Sequence, residues 1–452
     1  MNLQINNLGV IQDLNISPKP LTIICGKNNS GKTYAMYSLW AILELGFNVD
    51  FIELEEYANL LRNNGEIDIN LPSFFEENLY SMVDTVNNVI PKLLPRAFNT
   101  SIDFFKNSEV KIKIDLIEFL NHLQNDFNHE SISTFRLLNT IYHPETGNLK
   151  IFFRTNETRK YPIFVFSDFL NNLFFKIIFS QLGSSAFLMP TERAGLNLFF
   201  NELKTQKKAI EEYMKNRHSK SSNIETDNLD DYFNTSYYSL PIEEYINFMS
   251  NSNIEYDQKN SFSEDIHKIF NLRNEVKFRK EKGKIFFKTE EGKELSLHLA
   301  SSSIKTNVAL WIYLANTAQK SNLLMIDEPE LNLHPDAQRQ MARLIVFLVN
   351  KGLKIAVSTH SDYFIKEINS LIMLSNEFER KDDILQKYGY TSFDSLDPSQ
   401  VIAYHFDSGF AEEMLVDPKS GIEAKTFDDV TNSMNHAYMD IHWHLNESDF
   451  LD

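Results

Sequence analysis

The sequence predicts an α/β fold: a sheet carrying a phosphate-binding loop, flanked by helices and interrupted by a mainly helical insertion. Three stretches predict it. "IICGKNNSGKTYAM", Ile23 to Met36, fits G-x-x-x-x-G-K-[ST] through Gly26, Gly31, Lys32 and Thr33. "NLLMIDEPELNLHP", Asn322 to Pro335, is a short apolar run that ends in Asp327 and Glu328. "LKIAVSTHSDYF", Leu353 to Phe364, is a second apolar run that ends in hydroxyls and His360.

The glycine loop sits in the context its chemistry needs. "LTIIC" reads as a short strand, and "KTYAMYSLWAILEL" repeats its apolar residues with helical spacing. Gly26 and Gly31 allow backbone N–H groups to turn inward around phosphate oxygens, where a Cβ would obstruct them. Lys27, Asn28, Asn29 and Ser30 complete the loop. Lys32 is placed to reach the β and γ phosphates of a nucleoside triphosphate, and the Thr33 hydroxyl to take one Mg²⁺ position. The helix N-terminus behind them adds partial positive charge.

The other two stretches supply the rest of such a site. An apolar strand that delivers Asp327 and Glu328 to its carboxyl end puts them where ligands collect in a parallel sheet. Asp327 is then the metal residue, and Glu328 the general base that polarises an attacking water. The competing reading, an N-cap pair that only opens a helix, fits a pure apolar strand less well. His360, at the end of the next strand, is placed to hydrogen-bond a γ-phosphate and orient the water.

The bulk numbers bound the rest. The chain has 452 residues, with 42% hydrophobic and 23% charged, which suits a protein with a sizeable core. No window approaches a membrane span, and "MNLQINNLGVIQDLNISPKP" lacks the pattern of a secretory leader. With Cys25 as the single cysteine, disulfides are excluded and a cytoplasmic protein is expected. A net charge of −18 argues against a generally DNA-attracting surface. Two basic islands stand out, Lys204 to Lys220 and Arg273 to Lys284. They read as solvated faces, with a docking strip for nucleic acid or an acidic protein as the alternative.

The expected organisation is an ATPase-like first half over 1–45 and a mainly helical insertion over 46–183. A return strand follows over 184–196, then a helical excursion over 197–270. The second half spans 271–375, and a C-terminal α/β extension spans 376–452. Within the insertion, "LKIFFRT" and "YPIFVFS" suggest a hairpin turning around Asn156 to Lys160. "NRHSKSSNIETDNLDD" is the most disorder-like stretch by composition. "EVKFRKEKGKIFFKTEEGKELSLHL" suggests two strands around Gly283 and a turn at Glu291–Gly292. The C-terminal part suggests strands "VIAYHF" and "EMLVD" and an amphipathic helix near Phe427 to Leu445.

Taken together, the glycine loop, "LLMIDEPELNLHP" and "STHSDYF" resemble the ATP-binding-cassette ATPases. They are most similar to the branch that holds SMC-like chromosome and repair ATPases and the OLD proteins, within the wider AAA grouping. The resemblance implies an ABC-type P-loop sheet with ATP and Mg²⁺ as ligands. It further implies a dimer or higher oligomer in which each ATP is completed by a neighbour. Glu330 to Pro335 would form a loop at the subunit seam. "FLMPTERAG" is similar to a strand end that carries polar residues near metal and water, which makes Glu192 and Arg193 candidates. Ser301, Ser302 and Ser303 occupy the place of the family's signature, with Lys305 beside them as an additional positive charge. Ser303 stands where the signature has glycine. A bulkier residue there weakens subunit closure, so a slow, switch-like ATPase is expected.

The chain has no long heptad arms, so chromosome-type function is not implied, and it is larger than transport subunits. The size of the helical insertion resembles compact ATPases of bacterial anti-phage and abortive-infection systems, of the PARIS and Septu types. That resemblance implies a separate effector, such as a nuclease, and a phage-encoded trigger. The residues after Ser375 carry no Toprim-like pattern. His442 and His444 fall about 200° apart on a helix, which suits a structural role better than a metal site. An SMC-like ATPase acting directly on DNA through the basic islands is the alternative.

Overall fold

The computed structural model describes residues 1–46, 49–125, 127, 138–153, 158–218, 238–252, 277–281, 283–288, 292–391, 393–423 and 425–447. Its strands are β1 (Asn2–Leu8), β2 (Ile11–Ile16), β3 (Leu21–Gly26), β4 (Glu66–Asn70), β5 (Glu109–Lys113) and β6 (Leu138–His143). They continue with β7 (Asn148–Phe153), β8 (Ala186–Met189), β9 (Lys277–Glu281), β10 (Lys284–Lys288), β11 (Glu294–Ser296) and β12 (Leu323–Asp327). The last are β13 (Lys354–Thr359), β14 (Val401–Asp407), β15 (Phe410–Met414), β16 (Val416–Asp417) and β17 (Gly421–Ile422). The helices are α1 (Lys32–Leu45), α2 (Glu55–Asn64), α3 (Leu71–Phe98), α4 (Leu116–Asn125), α5 (Ile163–Ile178) and α6 (Arg193–His218). After them come α7 (Leu240–Asn251), α8 (Ser302–Asn316), α9 (Pro335–Asn350), α10 (Asp362–Met373), α11 (Lys381–Tyr388) and α12 (Lys425–Glu447).

Among the described residues, one nine-stranded sheet organises the chain, in the order β5-β1-β2-β15-β14-β3-β13-β12-β8. β14, β3, β13, β12 and β8 run parallel, while β1 pairs antiparallel with β2 and β5. Strand alternation assigns successive side chains to opposite layers. Ile24 of β3, Met325 of β12, Ala356 of β13 and Tyr404 of β14 join one core with α1, α3 and α5. Ile23, Ile326, Val357 and Ala403, one position away, join the other core with α8, α9 and α10. The parallel strands are therefore covered on both faces, which explains why they read as continuous apolar runs rather than as alternating ones.

The insertion is more mixed than its helical reading. β4, β7 and β6 form their own antiparallel sheet, and β5 adds to the edge of the main one. Packed rings join the parts, with Phe74 of α3 4.9 Å from Phe174 of α5, and Phe75 5.0 Å from Phe119 of α4. The expected hairpin is corrected. "LKIFF" is β7, but "YPIFVFS" runs into α5. Pro162 is the N-cap, and Phe166, Phe169, Leu170, Leu173, Phe174 and Ile177 are buried at helical spacing. That period emerges only past Ser167, beyond the short apolar run that resembles a strand. Residues 154–157 of the expected turn lie outside the described residues.

The segment from 376 onward is also corrected from an extension to a component of the sheet. β14 inserts beside β3, pairing Phe406 with Gly26, and β15 joins it to β2. Val401, Ile402, Ala403, Tyr404 and Phe406 are at most 4% exposed. "EMLVD" is split between β15 and β16. The strands around Gly283 form as β9 and β10; Glu291 of the expected turn, and residues 219–231 of the disorder-like stretch, lie outside the described residues. Among the described residues, no helix is long and apolar enough to cross a membrane.

These contacts separate two C-terminal pieces. The described side chains of α12, residues 433–445, are all exposed. Replacing the exposed Met434, Met439 and Ile441 by Ala is therefore expected to leave the melting temperature within about 2 °C, as for surface changes. Removing 398–452 strips β14, the strand paired with β3, together with β15, β16 and β17, and is expected to abolish cooperative unfolding, followed by circular dichroism.

Candidate functional site

Parallel pairing brings the carboxyl ends of β3, β12, β13 and β8 to one edge of the sheet, and the residues anticipated from sequence converge there. The loop between β3 and α1 folds as its glycines require. Gly26 has φ 141, and a Cβ there would lie 2.1 Å from the Phe406 carbonyl oxygen, so β14 itself demands the glycine. Gly31, with φ 107, is the N-cap of α1. A left-handed residue between them, Asn29 at φ 60, completes the turn.

Lys32 is 7% exposed, and its Nζ donates to the loop carbonyls of Gly26 at 3.0 Å and Lys27 at 2.7 Å. Burial lowers its pKa, and the carboxylates of Asp327 and Glu328 oppose that shift. Thr33 is exposed at the helix start. Ser30 is 3% exposed, and among the described residues its hydroxyl has no hydrogen-bond partner. A cradle that excludes Cβ atoms, an ammonium beneath it and an orphaned hydroxyl together fit a polyphosphate. Lys27 points outward, 3.8 Å from Asp407.

Asp327 is 6% exposed. One carboxylate oxygen accepts from the Ser358 hydroxyl, and the other accepts from Thr191 Oγ1 at 3.0 Å. Two flanking hydroxyls thus fix its orientation, and carboxylate and hydroxyl oxygens are a donor type suited to Mg²⁺. Glu328 adopts φ 52, a left-handed conformation unusual for a residue with a side chain. Its N–H donates to the Ser358 carbonyl at 3.0 Å. Burial, then repulsion from Asp327 and Glu330, holds its carboxyl above the usual range. His360 Nε2 lies 3.7 Å from Glu328 Oε1. Burial and, next, the Lys32 charge lower the His360 pKa, which favours neutral imidazole.

Arg193 and Glu192 part company. Glu192 is exposed. Arg193 is 1% exposed, and its guanidinium donates to the carbonyls of Pro190 at 3.1 Å, Asp327 at 2.5 Å and Glu328 at 2.5 Å. It clamps the backbone that presents the two carboxylates and lies beneath the site. Burial depresses its pKa, while the permanent charge strengthens each bond to carbonyl.

Ser301, Ser302 and Ser303 begin α8. Ser301 accepts from the Ile304 N–H at 3.4 Å and shares a bond with Ser303 Oγ at 2.9 Å. The described bonds of these serines do not run to the phosphate loop. Their end of α8 is tied instead to the 330–335 turn, through Asn332 Nδ2 donating to Thr306 Oγ1 at 3.0 Å. The Lys305 carbonyl accepts from Asn197 at 2.7 Å. Sequence reading missed Thr191, Ser358 and Thr359. Their signal was present, since each hydroxyl ends or follows an apolar strand that was already singled out.

Arg193→Met removes the guanidinium from three carbonyls, of which Pro190 keeps the residue-193 N–H and Glu328 keeps the Leu331 N–H. Loss of about 3 kcal/mol or more in denaturant unfolding is expected, with ATP hydrolysis reduced as Glu328 relaxes.

With this geometry in place, comparisons with known proteins are specific at the family level. The AAA ATPase domain family matches residues 1–365. No curated protein matches significantly. Among solved structures, an Smc head bound to the C-terminal winged-helix domain of ScpA is 12% identical, covering 91% of this chain and 96% of that one, with TM-score 0.32. An Smc head with extended coiled coil, bound to the C-terminal domain of ScpA and derived from Pyrococcus furiosus, is 12% identical over 96% and 98%, with TM-score 0.32. The SMC head domain from Thermotoga maritima is 10% identical over 92% and 98%, with TM-score 0.32. Scores this low carry no argument about fold or partners. The family match does: this chain belongs to the AAA ATPase domain family and is an ATPase.

Proposed function

We propose that the protein is a slow, switch-like ATPase that self-associates around ATP and Mg²⁺ and controls a separate effector, a nuclease, in anti-phage defence. The observation that carries the ATP-binding part is the convergence of Lys32, Asp327, Glu328 and His360 at one sheet edge. In this reading Gly26 to Thr33 bind the phosphates through backbone N–H groups, with Lys32 leaving its loop carbonyls for phosphate oxygens. Thr33 and Asp327 hold Mg²⁺, which neutralises charge on the phosphates. Glu328 accepts the proton of the attacking water, and neutral His360 donates to the γ-phosphate.

Self-association is supported by what one subunit leaves open. The serine end of α8 presents hydroxyls and a helix N-terminus that are bonded among themselves rather than to the phosphate loop of the same chain. A second molecule would bring that end to the exposed side of the loop, with Lys305 alongside. Closure then depends on ATP, and hydrolysis releases it, a population shift between open and closed assemblies. The effector and trigger rest on the resemblance to compact defence ATPases alone.

The DNA reading has less support. In the 273–284 island Arg279 pairs with Glu281 and Glu294. Lys280 donates to the carbonyls of Met249, Ser250 and Ser252. These cations are committed within the fold. In the 204–220 island, Lys204 bonds Asn251, and the side chains from 207 onward lie outside the described residues.

Two variants test the proposal. Lys32→Ala is expected to lose ATP binding in calorimetry. Glu328→Gln is expected to keep binding and to lower turnover about 100-fold or more. The Glu328→Gln protein should accumulate ATP-dependent oligomers in light scattering. ATP binding by a strictly monomeric protein would overturn the switch, and salt-sensitive DNA binding would favour the second reading.

A further inference from the structure

Glu330 is a half-buried residue to which the ATPase chemistry gives no task. One oxygen, Oε1, accepts from Thr359 Oγ1 at 2.9 Å and from the main-chain N–H of His360 at 2.7 Å. The other, Oε2, is buried and has no hydrogen-bond partner among the described residues. A buried oxygen without a partner is costly, and apart from the main chain of Glu330 itself the bonds the carboxylate makes go to the end of β13 that carries His360. Thr359 Oγ1 in turn accepts from the Ser361 N–H at 3.1 Å. The backbone on both sides of His360 is therefore fixed from Glu330.

Glu330 also opens the tight turn that follows Glu328. Leu331 N–H donates to the Glu328 carbonyl at 3.1 Å, and Leu333 N–H to the Glu330 carbonyl at 3.0 Å. Asn332, left-handed at φ 59, reaches across to Thr306 Oγ1 at 3.0 Å. Thr306 Oγ1 donates to the Ser302 carbonyl at 2.8 Å. A continuous set of bonds thus runs from the serine end of α8, through Thr306, Asn332 and the turn, to Glu330 and His360. A second tie parallels it. Gln338 Nε2 donates to the Leu333 carbonyl at 3.0 Å while its Oε1 accepts from Ser361 Oγ at 2.5 Å.

We propose that Glu330 is a positioning residue that couples the serine end of α8 to His360, so that movement of α8 is transmitted to the imidazole facing Glu328. In this role Glu330 acts through the backbone of His360. This inference rests on the reading of His360 as a γ-phosphate contact.

A double-mutant cycle on steady-state ATP turnover tests it. Glu330→Ala is expected to lower kcat about 10-fold or more while KM for ATP stays within about twofold, because binding groups are untouched. Glu330→Gln is expected to retain most activity, since the amide oxygen can accept both bonds. In a His360→Ala background, Glu330→Ala should cost no more than about a further twofold, the sign of residues acting as one unit. Losses that multiply in the double variant, or a Glu330→Gln protein as slow as Glu330→Ala, would overturn the coupling. If Glu330→Ala fails to fold, Thr359→Val removes one of the two donors. Its loss should likewise disappear in the His360→Ala background, and a multiplicative loss there overturns the proposal. The His360→Ala protein alone reports on the underlying reading: unchanged turnover would remove both claims, whereas reduced turnover with additive losses removes only this one.

Discussion

A single buried guanidinium holds the centre of this molecule in place. Arg193 begins α6, yet its bonds go to the carbonyls where β8 and β12 end. A full charge without solvent is unfavourable unless its donors are met, and here the main chain meets them. The constraint works in both directions. The carbonyls of Asp327 and Glu328 gain strong acceptor bonds, and the left-handed backbone at Glu328, a conformation costing about 1–3 kcal/mol, is held by them and by Ser358. The side chain most exposed to the chemistry is thus aimed by a residue that never reaches it.

The rest of the architecture follows from the need to bury both faces of a parallel sheet. α1 cannot be amphipathic in the usual sense, because it is enclosed between the strands and the insertion, and its residues from Ala35 to Leu43 are buried. The insertion supplies that cover through α3 and α5 and their aromatic contacts. On the opposite face α8, α9 and α10 form the second layer. The first of these carries the serines, and the third follows His360 directly. The serine end of α8 and the strand end that carries His360 therefore share one packed layer, with Asn332 and Gln338 as polar links across it.

Electrostatics sharpen the division of labour. Asp327, Glu328 and Glu330 crowd one strand end; burial raises the carboxyls of Glu328 and Glu330, and repulsion from Asp327 and Glu330 adds to the rise at Glu328. Lys32 and Arg193 are the cations that oppose these charges, the first bonded to the loop carbonyls and the second to the strand ends.

Much of this was legible from residue order. The spacing of Gly26, Gly31, Lys32 and Thr33, and the apolar runs ending at Glu328 and His360, specified strands, loop and their common edge, because local backbone demands and burial on both faces leave a direct mark on composition. Other features left none. "YPIFVFS" resembled a strand until the later turns of α5 supplied its period. β14 was visible as a strand, but its place beside β3 depends on a pairing across almost the whole chain. Gly26 shows the difference well: the motif announces a glycine for phosphate, and the fold adds a second reason, the Phe406 carbonyl. The sequence by itself determined the α/β class and which loop and strand ends share one edge of the sheet. Only the tertiary structure decided what Arg193, Thr359 and Glu330 do, since a hydrogen bond to a distant main-chain group carries no local pattern.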